Sequence, residues 1–333
     1  MRPAMMDSMS EHPYEELIPD VILTALENLG LPCSGQFLAL NSYENRVYQI
    51  GLDDKAPVIV KFYRPERWST EAILEEHEFV QTLVEHEIPV VAPIAYDGET
   101  LLSWKQFRFA VYPRKGGRWP NLEDPDNLMW MGRFIARIHA IGATRPFAHR
   151  PTLNIEAFGL QPAKFLLEHN LIPSHLVAAY ESLTRDLFIQ IEAAYARAGE
   201  IANIRLHGDC HPGNILWTDD GPHFVDFDDC RMGPAIQDLW MLLSGDRQEQ
   251  SIQLSEIVEG YNEFHDFDSR QLNLVEALRT LRMVHYAYWL AQRWTDPAFP
   301  QAFPWFGNDR YWEEHILSLR EQAAMLNEPV LNI

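Results

Sequence analysis

Apolar positions at helical spacing over residues 19–29 (PDVILTALENL) predict a short helix, stopped by Gly30. The pattern then changes to strand, turn, strand over 37–52 (FLALNSYENRVYQIGL), and 56–65 (APVIVKFYRP) follows as a β-branched strand. Ser69 or Thr70 can cap the next helix, STEAILEEHEFVQTLVEHEI. Residues 90–96, 101–104 and 108–113 supply further strand candidates. Gly116-Gly117 breaks this pattern in a way that suits a hinge. Helical periodicity dominates beyond it, at 126–141, 174–196, 235–243, 251–265 and 270–294. The interruption is 204–230, where short apolar runs alternate with turns. The expected architecture is therefore α+β and bilobal: residues 1–115 as a β-rich lobe with one inserted helix, and 116–333 as a mainly helical lobe.

Composition narrows the function. The 333 residues hold 47% hydrophobic positions, enough for a packed core. Lys+Arg number 27 against 48 Asp+Glu, a net charge of −21 that disfavours nucleic acid and anionic lipid as partners. The three cysteines, Cys33, Cys210 and Cys230, form no CxxC pair, which fits a reducing cytoplasm; Cys210 and Cys230, in and beside the motifs below, are expected to be small buried thiols, with redox sensing as the alternative. The N-terminal stretch is acidic and lacks the apolar core of a secretion signal, and no apolar run approaches the ~18 residues of a membrane span.

The candidate chemistry lies in LHGDCHPGNILW (206–217) and FVDFDD (224–229). Phosphoryl transfer needs a carboxylate to take the acceptor's proton and a few oxygen ligands for Mg²⁺. Asp209 can be the base, and Asn214 can fold back past the Pro-Gly turn as an amide ligand. Asp226 ends the run HFVD and stands beside that loop if the two runs form a hairpin. A polar turn with unrelated Asp and Asn is the bland alternative. Upstream, Lys61 lies in the apolar strand VIVKFY, where it is either a snorkelling surface residue or a phosphate ligand. Successive steps of 100° put Ile73, Val80, Leu83 and Val84 on one stripe of the next helix, with Glu76 inside it and Glu75 and Glu78 outside. A Glu on an inward face needs a partner, and Lys61 is the nearest obvious cation. The turn NSYEN (41–45) has the small and polar residues of a loop over phosphate, or of an ordinary hairpin. His207 and His211 lack a helical setting and a third soft ligand, so they are expected to shape the loop rather than hold zinc. Asp238, on an apolar helix, needs donors, and the N–H groups of 207–211 can supply them.

Together these residues resemble a known family. HGDCHPGN followed by VDFDD is similar to the HGDxxxxN…D signature of the aminoglycoside-phosphotransferase/choline-kinase-like branch of the protein-kinase fold. NSYENRVYQI, VIVKFYRPERW, ILEEHEF and GPAIQDLWMLL resemble, more narrowly, the bacterial stress response kinase A (RdoA) group, over about residues 17–312. The resemblance implies a cytoplasmic, ATP- and Mg²⁺-dependent Ser/Thr protein kinase that autophosphorylates, is linked to envelope and oxidative stress, and works as a monomer on protein hydroxyls. It implies Asp209 as catalytic base and Asp226 as a second catalytic residue, with Asn214 and Asp226 on the metal. It further implies Lys61 and Glu76 as the phosphate-positioning pair, Ser42 and Asn45 in the loop over ATP, and Val111 to Pro113 as the adenine-facing hinge. HGD stands in place of HRD, Asp226-Phe227-Asp228 in place of DFG, and only about eight residues separate Asp226 from the next helix. The expectation is an enzyme not switched on through an activation loop. A small-molecule phosphotransferase and a non-catalytic nucleotide-binding scaffold are the alternatives.

Overall fold

The structure is a computed structural model that describes residues 13–333. Residues 1–12, where the sequence shows no apolar leader core, lie outside the described residues. The chain divides into two compact units that interleave in sequence. One comprises residues up to Trp68, 94–114 and 292–304; the other comprises 69–93, 115–291 and 305–333. The sequence reading expects one cut after residue 115; in the structure, the inserted helix and segment 292–304 each join the other unit.

The first unit is built on an antiparallel sheet. It holds α1 (Pro19–Glu27), β1 (Cys33–Ala39), β2 (Arg46–Leu52), β3 (Lys55–Phe62), β4 (Leu102–Trp104) and β5 (Phe107–Pro113), with strand order β1-β2-β3-β5-β4. Ile50, Val58, Val60, Phe62, Phe107, Phe109 and Val111 close its core against α1. The ladder aligns Val47, Lys61 and Ala110 across three strands, so their side chains share one face. The expected strand at 90–96 does not form: only isolated bridges at Val90 and Tyr96 occur there. Pro89 and Pro93 have no N–H to give to a ladder.

The second unit is mainly helical. It comprises α2 (Thr70–Glu85), α3 (Pro125–Gly142), α4 (Gln161–Glu168), α5 (Val177–Ala198), α6 (Ile236–Trp240), α7 (Arg247–Tyr261), α8 (Val275–Gln292) and α10 (Asp309–Met325). The short α9 (Ala298–Ala302) belongs to the first unit. Two small ladders interrupt the helices: β6 (Ile204–Leu206) with β9 (Arg231–Gly233), and β7 (Ile215–Thr218) with β8 (Gly221–Phe224). Ser69 caps α2 by accepting from Ala72 N–H at 3.1 Å, and Ile73, Glu76, Phe79, Val80 and Leu83 are buried. Val84, placed on that stripe by periodicity, is instead exposed. Gly117 serves close packing: a Cβ there would meet Leu216 of β7 at 2.7 Å. Among the described residues no helix is long and apolar enough to cross a membrane.

Candidate active site

The hairpin expected around Asp209 and Asp226 is present. β7 and β8 pair Ile215 with Phe224, and Val225 N–H donates to Asn214 O at 3.0 Å. Asp226 therefore follows directly on the residue bonded to Asn214; its φ of 61° is left-handed, and its side chain is exposed. The loop before β7 turns sharply at Gly208, where φ is +85° and a Cβ would run into Asp229 O, so only glycine fits. His211 Nδ1 accepts from Gly213 N–H at 3.0 Å and closes the turn 212–214. Asn214 Nδ2 then donates to Asp209 O at 3.0 Å and lies 3.4 Å from Asp209 Oδ2. Asp209 and Asn214 are thus brought to hydrogen-bonding distance by the turn.

Three more groups hold Asp209. Arg282 Nη1 of α8 donates to its Oδ1 at 2.7 Å. His211 Nε2 lies 3.5 Å from Oδ2. Because His211 Nδ1 is an acceptor, the ring proton sits on Nε2, facing that carboxylate. Burial, helped by the charges of Arg282 and His207, holds His211 below the usual histidine range despite the pull of Asp209. His207 accepts from Asp209 N–H at Nδ1 (3.3 Å) and donates from Nε2 to Val225 O (2.9 Å), joining the two runs. Its ring lies 4.4 Å from that of Phe227.

Asp238 underpins the loop as expected: its carboxylate accepts from His207 and Gly208 N–H, each at 2.8 Å, and from His139 Nε2 at 3.0 Å. Tyr261 in turn donates to His139 Nδ1. Burial alone would raise the Asp238 carboxyl, but His139 and the loop N–H donors outweigh it and hold it below the usual carboxylate range. Cys210 and Cys230 are both buried; burial pushes Cys210 well up and Cys230 up to about 12. Neither thiol is a thiolate near neutral pH.

Glu76 is buried on α2 and pairs with Arg150, Oε2 to Nη2 at 2.8 Å. Arg150 Nε donates to Ala72 O (2.7 Å) and Nη1 to Asp228 O (2.5 Å), joining α2 to the segment after Asp226. Glu75 lies outside the stripe, as read, and accepts three N–H bonds from Ala148, His149 and Arg150 at 2.6–3.0 Å. The sequence reading missed Arg150 and Arg282: each reaches its partner across more than 70 residues, and no spacing marks it.

In the first unit, Lys61 is 5% exposed, which excludes a snorkelling surface lysine, and its Nζ lies 5.1 Å over the Tyr63 ring. Asn45 is buried, and its Oδ1 accepts from Arg64 N–H at 3.0 Å, whereas Ser42 is half-buried in the turn. Val111 O accepts from Ile94 N–H at 2.7 Å, and Pro113 is exposed at the end of β5.

The pattern of the phosphotransferase enzyme family matches residues 37–275. Stress response kinase A of Escherichia coli (strain K12) is 46% identical over 320 residues, covering 96% of this chain and 97% of that protein. This chain belongs to the stress response kinase A family. Serine/threonine protein kinase RdoA of Salmonella typhimurium is 44% identical with the same coverage of both chains. Among solved structures, an amicoumacin kinase in complex with AMP-PNP and Ca²⁺ superposes with a TM-score of 0.71 at 20% identity, covering 94% of this chain and 95% of that one. A microcompartment-associated aminopropanol kinase gives 0.68 at 18% identity, covering 92% and 96%. These two share the fold with this α+β, kinase-like chain.

Proposed function

We propose that this protein is an ATP- and Mg²⁺-dependent kinase that transfers the γ-phosphoryl group to Ser or Thr hydroxyls of protein acceptors, itself included, in a cytoplasmic stress response. The observation that carries the reading is the contact of Asn214 with Asp209 at the base of the hairpin that leads into Asp226. The kinase names of relatives 44–47% identical over nearly the whole chain support it.

In this reading Asp209 is the base. The acceptor oxygen forms its bond to the γ-phosphorus, the bond from phosphorus to the bridging oxygen breaks, ADP departs, and the acceptor's proton passes to Asp209. Asn214 and Arg282 fix the carboxylate's direction, each occupying one of its lone-pair sites and leaving others for the hydroxyl, with His211 alongside at 3.5 Å. The oxygens of Asn214 and Asp226 are hard donors of the kind Mg²⁺ takes when phosphates and water complete its shell. When bound, the metal neutralises charge on the β- and γ-phosphates. Lys61 and Glu76 are the proposed phosphate-positioning pair, residues 42–45 the loop over ATP, Val111 to Pro113 the adenine-facing backbone, and the monomer the working form.

A second reading, a small-molecule kinase, is favoured by the short segment after Asp226, where β9 begins at Arg231 and α6 at Ile236 and no long peptide-docking loop intervenes. The solved neighbours are named for amicoumacin and aminopropanol.

The test is transfer from labelled ATP with Mg²⁺ to a generic basic protein and to a panel of amino alcohols, sugars and aminoglycosides. Label on protein Ser or Thr, reduced roughly 10³-fold in Asp209→Asn while ATP binding persists, is the expected result. Label on a small compound alone would keep the base and overturn the acceptor class. Bound ATP with no transfer to any acceptor would leave a nucleotide-binding scaffold.

A further inference from the structure

The turn 42–45 is not held by the sheet alone. Arg64 Nε donates to Glu44 O at 2.9 Å, Arg64 Nη2 reaches Tyr43 O at 3.3 Å, and Arg46 Nη1 reaches Tyr43 O at 3.0 Å. Both guanidinium groups converge on one carboxylate from the far end of the chain: Asp296 Oδ2 lies 2.5 Å from Arg64 Nη2 and 3.0 Å from Arg46 Nη2. The Asp296 side chain is only 2% exposed, and its Oδ1 accepts Ala298 N–H at 3.0 Å, fixing the start of α9. Burial alone would raise this carboxyl, but Arg64, the Ala298 N–H and the charge of Arg46 hold it below the usual range. Arg293 Nε binds Glu44 Oε1 at 3.0 Å, and the Phe303 ring meets Tyr43 edge-on with centroids 4.9 Å apart. Segment 292–304 thus grips the turn at three places, across some 250 residues of sequence.

We propose that Asp296 is a positioning residue for the nucleotide loop, acting through Arg64 and Arg46; this rests on the reading that residues 42–45 cover ATP. A trans peptide points its C=O and N–H in opposite directions. With the carbonyls of Tyr43 and Glu44 turned to the guanidinium groups, the N–H groups of Glu44 and Asn45 point the other way, as a phosphate-covering turn requires. Without Asp296 the buried Arg64 and the half-buried Arg46 lose their shared anion, Arg64 keeps only Glu44 as an anion among the described residues, and the hold of both on the Tyr43 and Glu44 carbonyls loosens.

The experiment is hydrogen exchange of the 41–46 amides with and without AMP-PNP and Mg²⁺, together with ATP kinetics, on wild type, Asp296→Ala, Asp296→Glu and the less buried Arg46→Gln. The expected result is nucleotide protection of these amides in wild type. The variants should exchange faster there and nowhere else in the sheet, and KM for ATP should rise about tenfold, more than kcat changes, with partial recovery in Asp296→Glu. If Asp296→Ala does not fold, Arg46→Gln carries the same readouts. Protection in wild type with unchanged loop exchange and KM in the variants would overturn the role of Asp296 and leave the loop assignment standing. Absence of protection in wild type would overturn the loop assignment and this proposal with it.

Discussion

A carboxylate taken out of water needs a cation or several donors, and Glu76 obtains Arg150. The helical stripe makes the burial of Glu76 legible, because 3.6-residue periodicity depends on neighbours in the chain. It does not reveal Arg150, which arrives from a loop 74 residues away. Burial has the opposite consequence at His315 on α10, packed against Tyr180, Tyr311 and Trp312. Its buried Nε2 has no hydrogen-bond partner among the described residues, and burial lowers its pKa from 6.5 to about 4. Between those values the unfolded chain binds a proton that the folded chain refuses, so stability falls as pH drops from about 6.5 toward 4 and is unaffected above. The loss attributable to this one residue approaches about 3 kcal/mol. His315→Gln should flatten the pH dependence of the urea midpoint across that window, and an unchanged slope would refute the assignment.

At the level of elements, helix packing makes its own demands. α3 and α7 approach so closely that a Cβ on Gly132 would strike Ile257 O, and one on Gly260 would strike Met129 O. Gly132→Ala gains about 1 kcal/mol of helix propensity but forces the backbones apart, for a net loss of about 2 kcal/mol. The urea midpoint should drop accordingly, whereas Gly116→Ala, with nothing within 4 Å of its Cβ, should cost nothing. Elements written by local periodicity, such as β2, β3, α2 and the 206–226 hairpin, were legible in the sequence. The failures have equally local causes. An apolar run that follows Pro89 and is interrupted by Pro93 imitated a strand at 90–96. The capping box of Asp246 and Glu249 starts α7 at Arg247, earlier than the apolar periodicity does. α10, begun by Asn308 accepting Tyr311 N–H, was hidden behind the aromatic and Pro-rich stretch before it.

On the scale of the whole molecule, membership of a phosphotransferase family leaves the acceptor open, and net charge bears on it. At −21 the chain attracts cationic acceptors and repels acidic ones over distances beyond contact. That attraction is screened as the Debye length falls from about 10 Å at 0.1 M salt to about 3 Å at 1 M. Transfer to a basic protein should therefore show an apparent KM that rises several-fold between low and high salt, with kcat nearly constant. A neutral acceptor of similar size should respond weakly. The local charge beside Asp209, the proposed base, points the other way, because Arg282, bonded to it, would favour an anionic group next to the hydroxyl. The two influences separate in one comparison of basic and acidic acceptors across salt. If the acidic acceptor has the lower KM, and that KM is insensitive to salt, contact with Arg282 outweighs the field of the whole chain, and the preference for basic acceptors is wrong. If the basic acceptor wins at low salt and loses its advantage at high salt, long-range attraction selects the acceptor and Arg282 serves to hold Asp209.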